Sequence, residues 1–144
     1  MSLTIEEPPR WRLGDDVFPL LRTLRPDLTR AAFDELLGAH AAPGVTVLAA
    51  RNAADQYVGV ALYRVLLTSR GKLLFVDDLV TSTAHRSSGV GAALFAELER
   101  RGCVAGCERI ELDSGMSNHA AHRFYYRNRM GAIALHFAKE LIQR

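Results

Sequence analysis

Asp78-Leu79-Val80-Thr81-Ser82-Thr83-Ala84-His85-Arg86-Ser87-Ser88-Gly89-Val90-Gly91-Ala92-Ala93-Leu94 reads as a strand, a polar loop and the start of a helix. The strand spans 72–81 and is rich in apolar residues, as expected where both faces are covered. The loop is Ser82–Ser88. The helix is Gly89–Arg101, with Val90, Leu94 and Leu98 stacked at i, i+4 and i+8. A short strand at Arg109–Asp113 follows. Strand, helix, strand over 72–113 predicts a parallel crossover.

Upstream, Val45–Arg51 and Gln56–Leu67 are β-rich and flank a turn at Asn52–Asp55, which predicts a hairpin. Ser69-Arg70-Gly71 turns the chain again. Before these, Val17, Leu20, Leu21 and Leu24 have helical spacing, with Pro19 in the first turn and Pro26 as the stop. Asp27 or Thr29 caps a second helix that buries Phe33, Leu36 and Leu37, and Ala42-Pro43-Gly44 ends it. A short edge strand is expected at Arg10–Leu13, with Gly14-Asp15-Asp16 as turn and cap. Downstream, Asn118–Arg127 reads as a helix and Met130–Leu141 as a final strand. The fold class expected is α/β, a mixed central sheet flanked by helices.

The length of 144 residues suits one domain, 1–144. Eighteen basic residues against sixteen acidic ones leave a charge of +2, evenly spread. Neither a nucleic acid nor a membrane is expected as partner. No apolar run is long enough to span a bilayer, and the first residues lack a secretion signal, so the expected location is cytoplasmic. Cys103 and Cys107 lack further ligands at zinc spacing and are read as thiols that help pack a core.

The glycine loop has a local chemistry. The first amides of a helix have no internal partners and carry partial positive charge, so small residues there let a phosphate reach the backbone. Arg86-Ser87-Ser88-Gly89-Val90-Gly91 thus fits a pyrophosphate cradle. A capped helix, with Ser87 or Ser88 as the cap, fits the same residues. The stretch is not a P-loop, since no Gly-Lys-Ser/Thr follows, and it lacks the third glycine of a dinucleotide fingerprint.

Arg86-x-x-Gly89-x-Gly91 after Asp78-Leu79-Val80-Thr81, with Asn118-His-Ala-Ala-His-Arg-Phe124-Tyr125 later, resembles the GNAT (GCN5-related) N-acetyltransferases. Val76–Gly115 with Ala121–Leu141 is most similar to small bacterial members akin to aminoalkylphosphonate acetyltransferases. The resemblance implies acetyl-CoA as co-substrate and no metal. It implies that the pantetheine arm pairs with the backbone of Leu79, Val80 and Thr81, and that the amide at or near Val80 holds the thioester carbonyl. The amides of Arg86, Ser87, Ser88, Gly89, Val90, Gly91 and Ala92 would hold the pyrophosphate. Asn118 would reach the pantetheine amide, or serve as a plain helix cap. Tyr125 matches the family's tyrosine acid, and Tyr126 is read as packing.

Direct attack by an amine needs a base. Asp78 is the candidate, with Asp113 or a water chain as rivals, and Asp77 is expected on the opposite strand face. His119 and His122 share a helix face without a third metal ligand. His85 lies in the phosphate loop, and His136 lines an acceptor pocket or faces solvent. Arg123, Arg127 and Arg129 form a basic face or meet anions. Arg22, Arg25, Arg64 and Arg70 recognise an anionic acceptor group or are merely solvated. The resemblance places the acceptor pocket at the first two helices and the 64–72 turn. Arg129 stands where the family usually has glycine, so either the turn is rebuilt around Gly131 or Arg129 takes an unusual backbone angle.

The expected function is transfer of an acetyl group from acetyl-CoA to a primary amine of a small molecule. Acetylation of a protein N-terminus or lysine is an alternative, as is a non-catalytic acyl-CoA-binding module. Homodimerisation is a further expectation, through an exposed edge of the last strand.

Overall fold

In the computed structural model, which describes residues 2–38, 44–86 and 88–142, five strands form one sheet in the order β1-β2-β3-β4-β5. They are β1 (Thr4–Glu6), β2 (Thr46–Arg51), β3 (Tyr57–Thr68), β4 (Gly71–Thr81) and β5 (Arg109–Leu112). The first three pairings are antiparallel, and β4 pairs with β5 in parallel. The crossover between β4 and β5 is helix α4 (Val90–Val104). This is the mixed sheet with flanking helices that the sequence predicts.

Two cores follow from strand alternation. On one face α4 buries Val90, Leu94 and Leu98 against Leu48, Ala61, Leu74 and Val76. Each of these three α4 side chains is at most 1% exposed and contributes about 1.5–3 kcal/mol by leaving water. Gly59 on β3 lets α4 come this close. A Cβ there would lie 2.5 Å from Val90 Cγ1 and 3.0 Å from Leu94 Cδ1. On the other face Val17, Leu21 and Phe33 cover Val47, Val60, Leu62 and Val80. These come from α2 (Phe18–Leu24), the π-helical turn before it, and α3 (Arg30–Leu36). Thr29 is the α3 cap, its hydroxyl accepting from the Ala32 N–H at 3.1 Å. The expected helix stop at Ala42-Pro43 lies outside the described residues.

The start of the chain departs from expectation. The strand is at Thr4–Glu6, and Arg10–Arg12 is helix α1, which runs through a π-turn at Leu13–Val17 into α2. Pro9 supplies the N-cap with φ −64°, and a proline that cannot donate costs nothing there. Arg12 then reaches Asp16 at 2.7 Å, a helical i,i+4 pair, and stacks 3.8 Å over the Tyr57 ring. Gly14-Asp15-Asp16 is therefore helical, not a turn.

Strand β4 carries a β-bulge. Leu62 pairs with Asp78 while its neighbour Tyr63 pairs with Val76, so Asp77 is an extra residue. The bulge corrects the expected facing of Asp77. Its carboxylate meets Arg64 Nη2 at 2.6 Å and Nε at 2.9 Å. By alternation Arg64 shares the face of Leu62, and Asp78 borders Leu21 on that same face.

Backbone contacts divide the chain into two units, Met1–Leu112 and Asp113–Arg144. The second contains α5 (His119–Arg127), capped by Asn118, whose Oδ1 accepts from the Ala121 N–H at 3.3 Å. The helix ends in a Schellman arrangement: Met130 N–H donates to Tyr125 O and Arg129 N–H to Tyr126 O, each at 3.0 Å. Arg129 sits at the left-handed position with φ 65°. Of the two turns left open by the sequence, the structure takes the unusual backbone angle at Arg129. Met130–Leu141 is not a strand: it pairs with no strand among the described residues, and Ile133, Leu135 and Phe137 are exposed. Cys107 packs against the α4-side core, whereas Cys103 is exposed and packs no core.

Candidate active site

Two features of the first unit meet at the loop after β4. The first is a free strand edge. Pairing with β5 covers only Leu73–Val76, so from Asp77 to Thr81 that side of β4 pairs with no strand among the described residues. The pairing register tells which backbone groups face it. Ser82 N–H donates to Val58 O at 2.8 Å, continuing the ladder that sets Thr81 opposite Gly59 and Val80 opposite Val60. Antiparallel alternation then turns the N–H and C=O of Val80 toward Val60, and those of Leu79 and Thr81 outward. The expectation that the Val80 backbone is available is thereby corrected. The outward amides belong to Leu79 and Thr81.

The second feature is the open N-terminus of α4. Its N-cap is Gly89, with φ 83°, and among the described residues no side chain caps the helix. Ser88 is thus not the cap. Its hydroxyl donates to His85 O instead. Ser87, the other expected cap and ligand, lies outside the described residues. The first intrahelical bond returns from Ala93 N–H to Gly89 O at 3.0 Å, so the amides of Val90, Gly91 and Ala92 lack helical partners. A Cβ on Gly89 would meet no described atom within 4 Å beyond its chain neighbours. Arg86 is exposed beside it. A free strand edge leading into an uncapped helix start fits a ligand with an extended, amide-bearing arm and a phosphate end.

Beside Asp78, on the α2/α3 face, lies a cavity of about 490 Å³ bordered by Leu21, Leu24, Leu28 and Leu36. The 64–72 turn does not border it. Burial raises the Asp78 carboxyl above its ordinary range, more than the Arg25 guanidinium lowers it. Arg25 Nε donates to Asp78 Oδ1 at 2.8 Å. The other arginines have protein partners: Arg22 reaches Pro26 O at 2.8 Å, Arg64 holds Asp77, and Arg70 meets Glu111 at 3.3 Å.

In the second unit, Tyr125 is half-buried, and burial raises its phenol above the usual value. Its ring stands edge-on to Phe124 at 5.6 Å. Tyr126, expected to pack, is 60% exposed. Asp113, the rival base, meets His136 Nδ1 at 3.2 Å. His119 and His122 stack edge-on at 5.7 Å, and His122 Nε2 lies 2.8 Å from Gly115 O. Among the described residues no group of three or more His, Cys, Asp or Glu is placed to hold a metal ion. None of their helices is long and apolar enough to cross a membrane.

Sequence reasoning missed the bulge and Arg25 as the partner of Asp78. The bulge leaves no local signal. Arg25 is signalled only by its place just before Pro26.

Comparison with known proteins agrees with this geometry. The acetyltransferase (GNAT) family model matches residues 11–132. No curated protein matches the chain. Among solved structures, a transcriptional regulator from Bacillus halodurans C-125 superposes with a TM-score of 0.81 at 20% identity, over 97% of this chain and 100% of that one. AAC(6')-Iy in complex with the bisubstrate analog CoA-S-monomethyl-acetylneamine gives 0.81 at 16% identity, over 99% and 100%. Glucosamine-6-phosphate N-acetyltransferase from Arabidopsis thaliana gives 0.77 at 16%, over 99% and 100%. With a family model spanning most of its length, the chain belongs to the GNAT acetyltransferase family.

Proposed function

We propose that this acetyltransferase moves the acetyl group of acetyl-CoA to a primary amine of a small molecule, with the whole chain acting as one catalytic domain. The free β4 edge running into the uncapped α4 start carries the reading. Outward backbone groups of Leu79 and Thr81 pair with the pantetheine arm. The amide of Leu79 or Thr81 polarises the thioester carbonyl, and the amides of Val90, Gly91 and Ala92, with Arg86, hold the pyrophosphate. Asn118 adds a contact to the arm while capping α5. Supporting a small acceptor, the cavity at Asp78 is of small-molecule size.

Asp78 takes a proton from the acceptor ammonium, directly or through water. A carboxyl raised by burial is a better base than an ordinary one. The freed nitrogen forms a bond to the acetyl carbon as the carbon–sulfur bond breaks, and its second proton then leaves to restore the phenol that protonates the sulfur. Tyr125 gives its proton to the leaving sulfur, and burial keeps the phenol protonated at neutral pH. The test is thiol release from acetyl-CoA across a panel of amines, with Tyr125→Phe. Turnover is expected to fall about 100-fold or more, with acetyl-CoA affinity kept. Full turnover in Tyr125→Phe at every pH would remove Tyr125 from the mechanism.

A further inference from the structure

The pair Arg25–Asp78 is half used. Arg25 grips Asp78 through Nε alone, at 2.8 Å. Among the described residues no acceptor meets either of its terminal nitrogens, and its side chain is 57% exposed. Asp78 is 11% exposed, and only its Oδ1 is engaged. Oδ2 has no protein partner among the described residues. A free fork of two guanidinium N–H groups therefore stands beside a free carboxylate oxygen, joined by one hydrogen bond.

The backbone holds this arrangement. Arg25 is the C-cap of α2, with φ −122° and ψ 77°, outside helical geometry. Its carbonyl accepts from the Leu28 N–H at 3.1 Å, and the Pro26 carbonyl accepts from Arg22 at 2.8 Å. Pro26 fixes the next φ. The turn that aims the guanidinium is pinned from both sides.

A ligand that satisfies both halves needs an ammonium for Asp78 Oδ2 and an anion for the Arg25 fork, on adjacent atoms. The leucine wall of the cavity beside them takes an apolar substituent. We infer that the acceptor is a zwitterion with an anionic group on the carbon bearing the amine, and an apolar side chain: an α-amino acid of the leucine or phenylalanine kind, or its phosphonate analogue. A guanidinium binds such an anion by two parallel bonds, which a lysine cannot copy. The cavity border carries two carboxylates, Asp27 and Asp78, beside Arg25, so a polycationic sugar is the competing acceptor that the test must include.

This inference rests on the acetyl-transfer reading. In the step, the ammonium gives one proton to Asp78, which passes it to solvent. The nitrogen joins the acetyl carbon as the carbon–sulfur bond breaks, Tyr125 protonates the sulfur, and the nitrogen's second proton restores the phenol. The products are the N-acetyl amino acid and free CoA.

The experiment measures thiol release with leucine, its phosphonate analogue, isoamylamine (leucine without its carboxylate) and kanamycin, alongside acetyl-CoA binding by calorimetry. Leucine or its phosphonate is expected to exceed isoamylamine in kcat/KM by about tenfold to a hundredfold, and the better of the two names the anion. In Arg25→Gln that ratio should collapse toward one, and Arg25→Lys should recover only part of it. Because Arg25 also touches Asp78, the ratio is the readout and not either rate alone. Isoamylamine or kanamycin as the better acceptor overturns the inference and leaves acetyl transfer standing. So does a ratio that survives Arg25→Gln. Bound acetyl-CoA with no release to any amine overturns both.

Discussion

Gly59→Ala tests whether the α4 start must sit against the sheet for the site to exist. The new Cβ would lie 2.5 Å from Val90 Cγ1 and 3.0 Å from Leu94 Cδ1. Carbon atoms rest at about 3.5–4.0 Å, so Val90 must withdraw by about 1 Å. Val90 is 1% exposed in the α4-side core and its branched side chain is stiff, so the helix start is expected to move with it. Overpacking of this kind costs about 1–3 kcal/mol. Urea denaturation should show that loss, and the KM for acetyl-CoA should rise because the amides of 90–92 are displaced from the β4 edge. Val90→Ala removes the clashing methyl. In that background Gly59→Ala should cost much less, with only the 3.0 Å contact to Leu94 Cδ1 left to relax, and the KM should return toward that of Val90→Ala alone. The coupling expected from the cycle is about 1–3 kcal/mol. Additivity within about 0.5 kcal/mol would refute the reasoning.

Further outcomes follow from other positions. Gly89→Ala meets no protein atom, so its cost is the left-handed backbone alone, about 1 kcal/mol by denaturation. A rise in the KM for acetyl-CoA in that variant then reports the methyl over the helix amides and not a packing defect. Arg129→Gly relieves the same strain in reverse, and should add about 1 kcal/mol or about 3 °C in Tm without changing turnover. Asp78 has a raised pKa in the fold, so its contribution to stability is fully present below the ordinary carboxylate value of 3.8. It is lost as pH rises through the raised value. Asp78→Asn should therefore gain stability relative to the wild type from acid to neutral pH, measured by thermal melts. Turnover should fall at all pH values and lose its acid limb.

What was legible in the sequence was periodic and local. β-rich runs at 45–51, 56–67 and 72–81 with turns between them marked the antiparallel strands, the spacing of Val90, Leu94 and Leu98 marked the buried face of α4, and Thr29 and Asn118 announced caps that the structure contains. What failed depended on distant partners. Arg10–Leu13 reads as a strand until Arg12 is seen to join Asp16 within a helix and stack on Tyr57, 45 residues away in the chain. Ile133, Leu135 and Phe137 alternate as a strand should, but a strand is a property of a pair, and no described strand pairs with them. The bulge was invisible because Asp77 and Asp78 are the same residue type. Only the register against Leu62 and Tyr63 separates the bulged carboxylate from the paired one.

That bulge has a consequence for how such a site can arise. Asp77 adds a residue without reversing the faces, since Val76 and Leu79 serve the α4 side and Asp78 and Val80 the other. A chain lacking Asp77 would keep the buried residues of β4 on their own faces, losing only the pair with Arg64. It would, however, carry a straight strand whose far end is as ready to bond a neighbouring strand as its near end. A slot for a ligand can thus be opened or closed by the insertion or loss of one codon, with the core on both sides left untouched.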